Sequence, residues 1–166
     1  PGGGGAGPAT RLELAFDGTF ANAISGAGMV EIKGKQTFTG DTSGHTGEVK
    51  LTSGSISSAR SQTFGLLTSS ACTAIDLTAD MAMASGRLDG SVAAVNFTKT
   101  GADTVVVNGT LNLGGVLAVD DGNLLVSADY DAPARTARNV RFDANAYLTC
   151  TQFTGLGDGT HLLLAE

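Results

Sequence analysis

The stretch Val105-Val106-Val107-Asn108-Gly109-Thr110-Leu111-Asn112-Leu113 decides how this chain is read. Two runs of β-branched and aliphatic residues flank Asn108-Gly109, a pair that tolerates positive φ at both positions and suits a two-residue type I′ turn. The local reading is a hairpin of two antiparallel strands.

The same arrangement recurs on both sides. Leu12, Leu14 and Phe16 alternate with Arg11, Glu13 and Ala15 before Asp17-Gly18, as in a half-buried strand entering a turn. Val30 and Ile32 oppose Glu31 and Lys33, and Val49 and Leu51 oppose Glu48 and Lys50. Further strands are read at 36–39, 54–57, 92–100, 103–107, 110–113, 116–119, 124–130 and 140–149. Turns at Asp89-Gly90, Thr100-Gly101, Gly114-Gly115 and 120–123 separate many of them at hairpin distances. The Asp-Gly pairs at 17–18, 89–90, 121–122 and 158–159 are unevenly spaced, which speaks for hairpins and against a solenoid period. The predicted fold is therefore all-β: an antiparallel meander forming a β-sandwich or barrel, with at most one or two short helices. Those helices would fall in 58–83, where the Ala-rich run Ser70 to Met81 suits one short helix, with Cys72, Ile75 and Ala79 on one face, as well as it suits a strand pair.

The chain has 166 residues, enough for one domain that buries roughly two-thirds of its unfolded surface. Pro1 to Thr10 is a Gly-rich segment with no side chain able to form a core, and reads as a flexible leader to a single β domain over 11–166. Only 16% of residues are charged, so Thr, Ser, Asn and Gly must cover the surface, a composition associated with exported bacterial proteins. The net charge of −6 leaves no basic patch for nucleic acid, and no apolar run approaches the ~20 residues that span a bilayer as a helix. Cys72 and Cys150 permit a single bridge, and in an exported chain they are expected to form it. Cys150 shares a strand phase with Val140, Phe142, Ala144, Ala146 and Leu148 on the apolar side.

Catalytic signals are thin. His45, in the loop-like 40–47, and His161 both read as surface side chains, and no Gly-x-Ser-x-Gly elbow is present. Asp120, Asp121 and Asn123 offer hard oxygens in one tight turn, with Asp129 and Asp131 nearby, a weak calcium candidate matching no known loop. Gly155 to Gly159 has too little chain after it for a phosphate-binding helix. No Trp is available as a sugar platform. No cofactor and no enzymatic activity are expected.

The function that remains is structural: an extracellular or cell-surface filament subunit, adhesin or coat module that associates with itself or with a surface protein. Its candidate assembly strand is Arg11, Leu12, Glu13, Leu14, Ala15 and Phe16, which could add to a neighbour's sheet through main-chain hydrogen bonds. In size, Gly/Thr richness and one expected disulfide the chain resembles donor-strand pilus subunits, but its widely spaced cysteines and non-aromatic C-terminus depart from them. The second reading is an envelope-tethered lipoprotein-type β domain that binds a small apolar ligand or a protein partner.

Overall fold

The computed structural model describes residues 10–126 and 135–150. Strands form throughout and no helix appears among these residues, but every strand pair is parallel. Leu12 pairs with Val30, Val30 with Val49, Val49 with Leu67, Leu67 with Gly86, Gly86 with Val105 and Val105 with Leu124, so the chain returns to this column every 18 or 19 residues up to Leu124, and then after a longer coil at Leu148. This is a β-solenoid, and it replaces the expected antiparallel sandwich or barrel.

Each coil contributes to two sheets. The larger stacks β1 (Arg11–Leu14), β3 (Met29–Ile32), β5 (Glu48–Leu51), β7 (Gln62–Ser69) and β9 (Met81–Leu88). Beyond β9 it divides. The first half of β9 continues into β11 (Phe97–Lys99), β14 (Val116–Val119) and β17 (Asn139–Phe142), and the second half into β12 (Thr104–Val107), β15 (Gly122–Val126) and β18 (Ala146–Cys150). The division follows from Thr100 to Asp103, which loop out where β9 runs on without a break. The smaller sheet stacks β2 (Gly18–Phe20), β4 (Lys35–Phe38), β6 (Ser55–Ser58), β8 (Ala74–Leu77), β10 (Ser91–Ala94), β13 (Leu111–Leu113) and β16 (Arg135–Thr136). The Ala-rich run from Ser70 thus holds a corner and β8, and no helix forms there.

The alternation that marked the strands is real. One face of each packs inside the coil and the other meets water, giving the ladders Ile56–Ile75–Val92–Leu111 and Met81–Phe97–Leu117 within a continuous core. A half-wet strand usually belongs to an antiparallel sheet, because parallel sheets are ordinarily covered on both faces. A solenoid is the exception, since its sheets pack against each other across the coil and leave both outer faces in water.

Four glycines share one corner. Register places Phe16, Gly34, Gly54, Thr73, Gly90 and Gly109 in one column where the chain turns from the larger sheet to the smaller. A Cβ on Gly34 would stand 2.6 Å from the carbonyl oxygen of Phe16, and Cβ atoms on Gly54, Gly90 and Gly109 would likewise strike the corner carbonyl of the preceding coil. Thr73 is tolerated where four residues, Ser70 to Thr73, widen the corner. Asn108-Gly109 therefore makes a corner and not a hairpin: neither Asn108 nor Gly109 has positive φ, and the Asn108 amide donates to the carboxylate of Asp89 one coil earlier at 2.6 Å.

Candidate functional site

Buried polar side chains occur within both sheets, as at Gln36, Gln62 and Lys99, and at the third side, as at Thr42 and His45, where no continuous sheet runs in the first coils. Gln62 is fully buried: its Oε1 accepts from the Thr42 hydroxyl at 2.8 Å, and its Nε2 donates to the Gly40 carbonyl at 3.1 Å and the Ser58 hydroxyl at 3.0 Å. Every polar atom of that side chain is satisfied, so the cluster ties successive coils together. Lys99 is equally buried, in an inward column between Met83 and Val119. Its ammonium donates to the carbonyls of Thr100 at 2.6 Å, Gly101 at 2.5 Å and Asp121 at 3.0 Å, closing the loop that divides the larger sheet. Burial lowers its pKa, while the charges of Asp121 and Asp103 oppose the shift.

His45 differs from both. It was expected at the surface, yet it is only 4% exposed, and neither ring nitrogen has a hydrogen-bond partner. It bridges to Gly26 one coil earlier and borders an open cavity of about 300 Å³ at the first coil, with Leu12, Ile24, Met29 and Val30, to which its ring nitrogens are not exposed. Sequence reasoning missed it because 40–47 reads as a polar loop. The available signal was the match of Gly26 to Gly28 with His45 to Gly47 at a spacing of 19, which places His45 in a column of small residues.

The expected disulfide does not form. Cys72 is a free, exposed thiol in the wide corner between β7 and β8, beside a surface groove of about 620 Å³ that Lys35, Asp89 and Thr110 also line. The backbone of Cys150 pairs with Val126, Val126 with Val107, Val107 with Leu88 and Leu88 with Ser69, three residues before Cys72. Four strand spacings amount to about 19 Å, whereas bridged Cα atoms lie within about 7 Å. The one-phase strand from Val140 to Cys150 also breaks at 143–145, so Ala144 falls in a turn between β17 and β18.

Each of the calcium candidates accepts a hydrogen bond within the fold. Asp120 Oδ1 accepts from Arg141 at 2.5 Å, Asp121 Oδ1 from the Gly122 amide at 2.9 Å, and Asn123 Oδ1 from the Thr149 hydroxyl at 2.9 Å. Among the described residues no three His, Cys, Asp or Glu side chains gather as metal ligands. Asp129, Asp131, Gly155 to Gly159, His161 and most of the Gly-rich leader lie outside the described residues.

The candidate assembly segment splits into β1, over Arg11–Leu14, and the corner residues Ala15 and Phe16. β1 begins the larger sheet and, among the described residues, pairs only with β3. Its outer face carries an ion-pair ladder: Arg11 bonds Glu13 at 2.7 Å and also Glu31, and Lys33 bonds Glu13 at 3.0 Å. The Lys33 hydrogen bond is the first cause of the lowered pKa of Glu13. Phe16 projects into solvent at 86% exposure. Among the described residues no helix is long and apolar enough to cross a membrane. Comparison with protein-family models, with curated proteins and with solved structures returns no match.

Proposed function

We propose that this chain is an extracellular structural module, a short β-solenoid rod at the cell surface that associates with further copies or with a surface protein. The stack of parallel coils is the observation that carries this reading. Each coil touches mainly its neighbours, which yields an elongated body with long side faces, a shape suited to spacing and display. The low charge content favours an exported setting, and among the described residues the larger sheet begins on β1, an edge strand of the kind to which a partner strand can add. The charged ladder on β1 limits indiscriminate edge pairing and favours a partner of complementary charge.

Electron microscopy and light scattering of native material test the proposal. Filaments or defined oligomers are expected, and deletion of residues 1–10 together with charge reversal at Arg11 and Glu13 should reduce association while leaving the melting temperature nearly unchanged. A protein that stays monomeric under all conditions and binds no surface partner overturns the reading.

A further inference from the structure

We infer that Asn108 is a site of covalent modification gated by the fold: its side-chain amide is held against deamidation while the coils are stacked, and is lost to water once the corner at Gly109 opens. Asn108-Gly109 is the one Asn-Gly pair in the chain. In an open chain such a pair reacts readily, because glycine puts no side chain in the way of its own backbone nitrogen. The Gly109 nitrogen gives up its proton and attacks Cγ of Asn108. A carbon–nitrogen bond forms there, the bond from Cγ to Nδ2 breaks, and ammonia leaves carrying the equivalent of the proton that Gly109 lost. Water then opens the cyclic imide at either carbonyl, leaving aspartate or isoaspartate. Water is consumed mole for mole with the ammonia released, and nothing is oxidised or reduced.

The corner holds both reacting groups in other bonds. The Gly109 N–H donates to the Leu88 carbonyl at 3.0 Å, an oxygen that also accepts from the Asn108 N–H at 2.8 Å, so the nucleophile keeps its proton and its place. The Asn108 Nδ2 donates to Asp89 Oδ1 at 2.6 Å, which ties the amide to the preceding coil. Gly109 is buried, with its backbone against the carbonyl of Gly90. All of these partners belong to the coil before, so the protection lasts only as long as β12 and β13 stay stacked on β9 and β10. Nothing in this gate requires the rod to assemble. The same contacts make the reaction one-way. Aspartate at 108 would set a carboxylate beside Asp89 where a donor had been, and like charges on neighbouring strands repel. Isoaspartate adds a methylene to the main chain at a corner where Gly109 already has no room for a Cβ. A coil that has opened and reacted therefore cannot restack as before, and the corner records the opening.

Mass spectrometry of the full chain after incubation at neutral pH, with and without unfolding guanidinium chloride, provides the test, with the free peptide spanning residues 106–111 as reference. In guanidinium Asn108 should deamidate at the peptide's rate. In the folded protein it should react at least about 100-fold more slowly, a factor that should match the protection of the Gly109 amide proton from hydrogen exchange within about tenfold. Asn108→Asp, which installs the product directly, should lower the folding equilibrium constant at neutral pH by at least about tenfold, and by more than Asn108→Ala, which removes the hydrogen bond without adding charge. The gap between these two variants should narrow as the pH is lowered and the carboxyls take up protons. Deamidation of the folded chain at the peptide's rate overturns the inference, as does an Asn108→Asp protein that is as stable as the wild type or as the Asn108→Ala variant.

Discussion

A methyl group on Gly109 would collide with the carbonyl oxygen of Gly90, which turns the same corner one coil earlier. The two corners are in register through Val92 and Leu111 and cannot separate without breaking the stack between β10 and β13. Gly109→Ala is therefore expected to cost about 2–4 kcal/mol, within the range of backbone strain effects. Gly114→Ala, where a Cβ would meet nothing within 4 Å, should be neutral or slightly stabilising. Urea denaturation of the two variants checks the contrast.

The buried Thr42–Gln62 pair sets the second expectation. Gln62→Leu strands the Gly40 carbonyl in the interior, while the Thr42 hydroxyl keeps its bonds to the Thr63 backbone, and should lower stability by about 1–3 kcal/mol. Thr42→Val removes the same Thr42–Gln62 hydrogen bond, so the double variant should lose less than the two single losses combined. A double-mutant cycle measures that coupling.

Lys99 governs a pH dependence. Its pKa is lowered by burial in the folded chain, so the unfolded chain holds the proton more tightly. Between the lowered folded value and the ordinary lysine value of about 10.4, the unfolded state binds more protons, and stability contributed by this group rises with pH. The wild type should accordingly gain stability relative to Lys99→Met as pH is raised through that window. Urea unfolding of both proteins at about pH 8 and about pH 10 provides the comparison, and a difference that does not change with pH counts against it.

Cys72, exposed and free, should react fully with a thiol reagent in the native protein without reductant. Cys72→Ser should shift stability by no more than about 0.5 kcal/mol, as for a surface substitution. A loss of several kcal/mol, of the size a bridge over this loop would contribute, would mean that the thiol is bonded after all.

Much of the fold was legible in single segments and little of it between segments. The inward positions Val30, Ile32, Val49 and Leu51 follow from local alternation, because period two is a property of one strand. Strand direction is not local. It emerges only when Gly28-Met29-Val30-Glu31-Ile32 is laid on Gly47-Glu48-Val49-Lys50-Leu51, and corners that vary from the two residues Lys33 and Gly34 to the four from Ser70 to Thr73 blur that period. Asn108-Gly109 misled for a related reason. Glycine relieves a close approach of backbones as readily as it permits positive φ, and the sequence does not distinguish the two uses. The burial of His45 was hidden likewise, since it depends on Gly26 lying one coil away.

The return of the chain every 18 or 19 residues has a mechanical consequence. Force applied to the two ends meets the stack in series, because among the described residues each coil pairs with its neighbours and with no strand from farther along. A terminal coil can peel away while the next remains intact, releasing about 60 Å of contour length per event at about 3.3–3.6 Å for each residue. Stretching a single molecule should thus give a staircase of steps near this size with a longer one for the coil that ends at β18, and the rod would yield in small increments where an antiparallel barrel of the same length would give way at once.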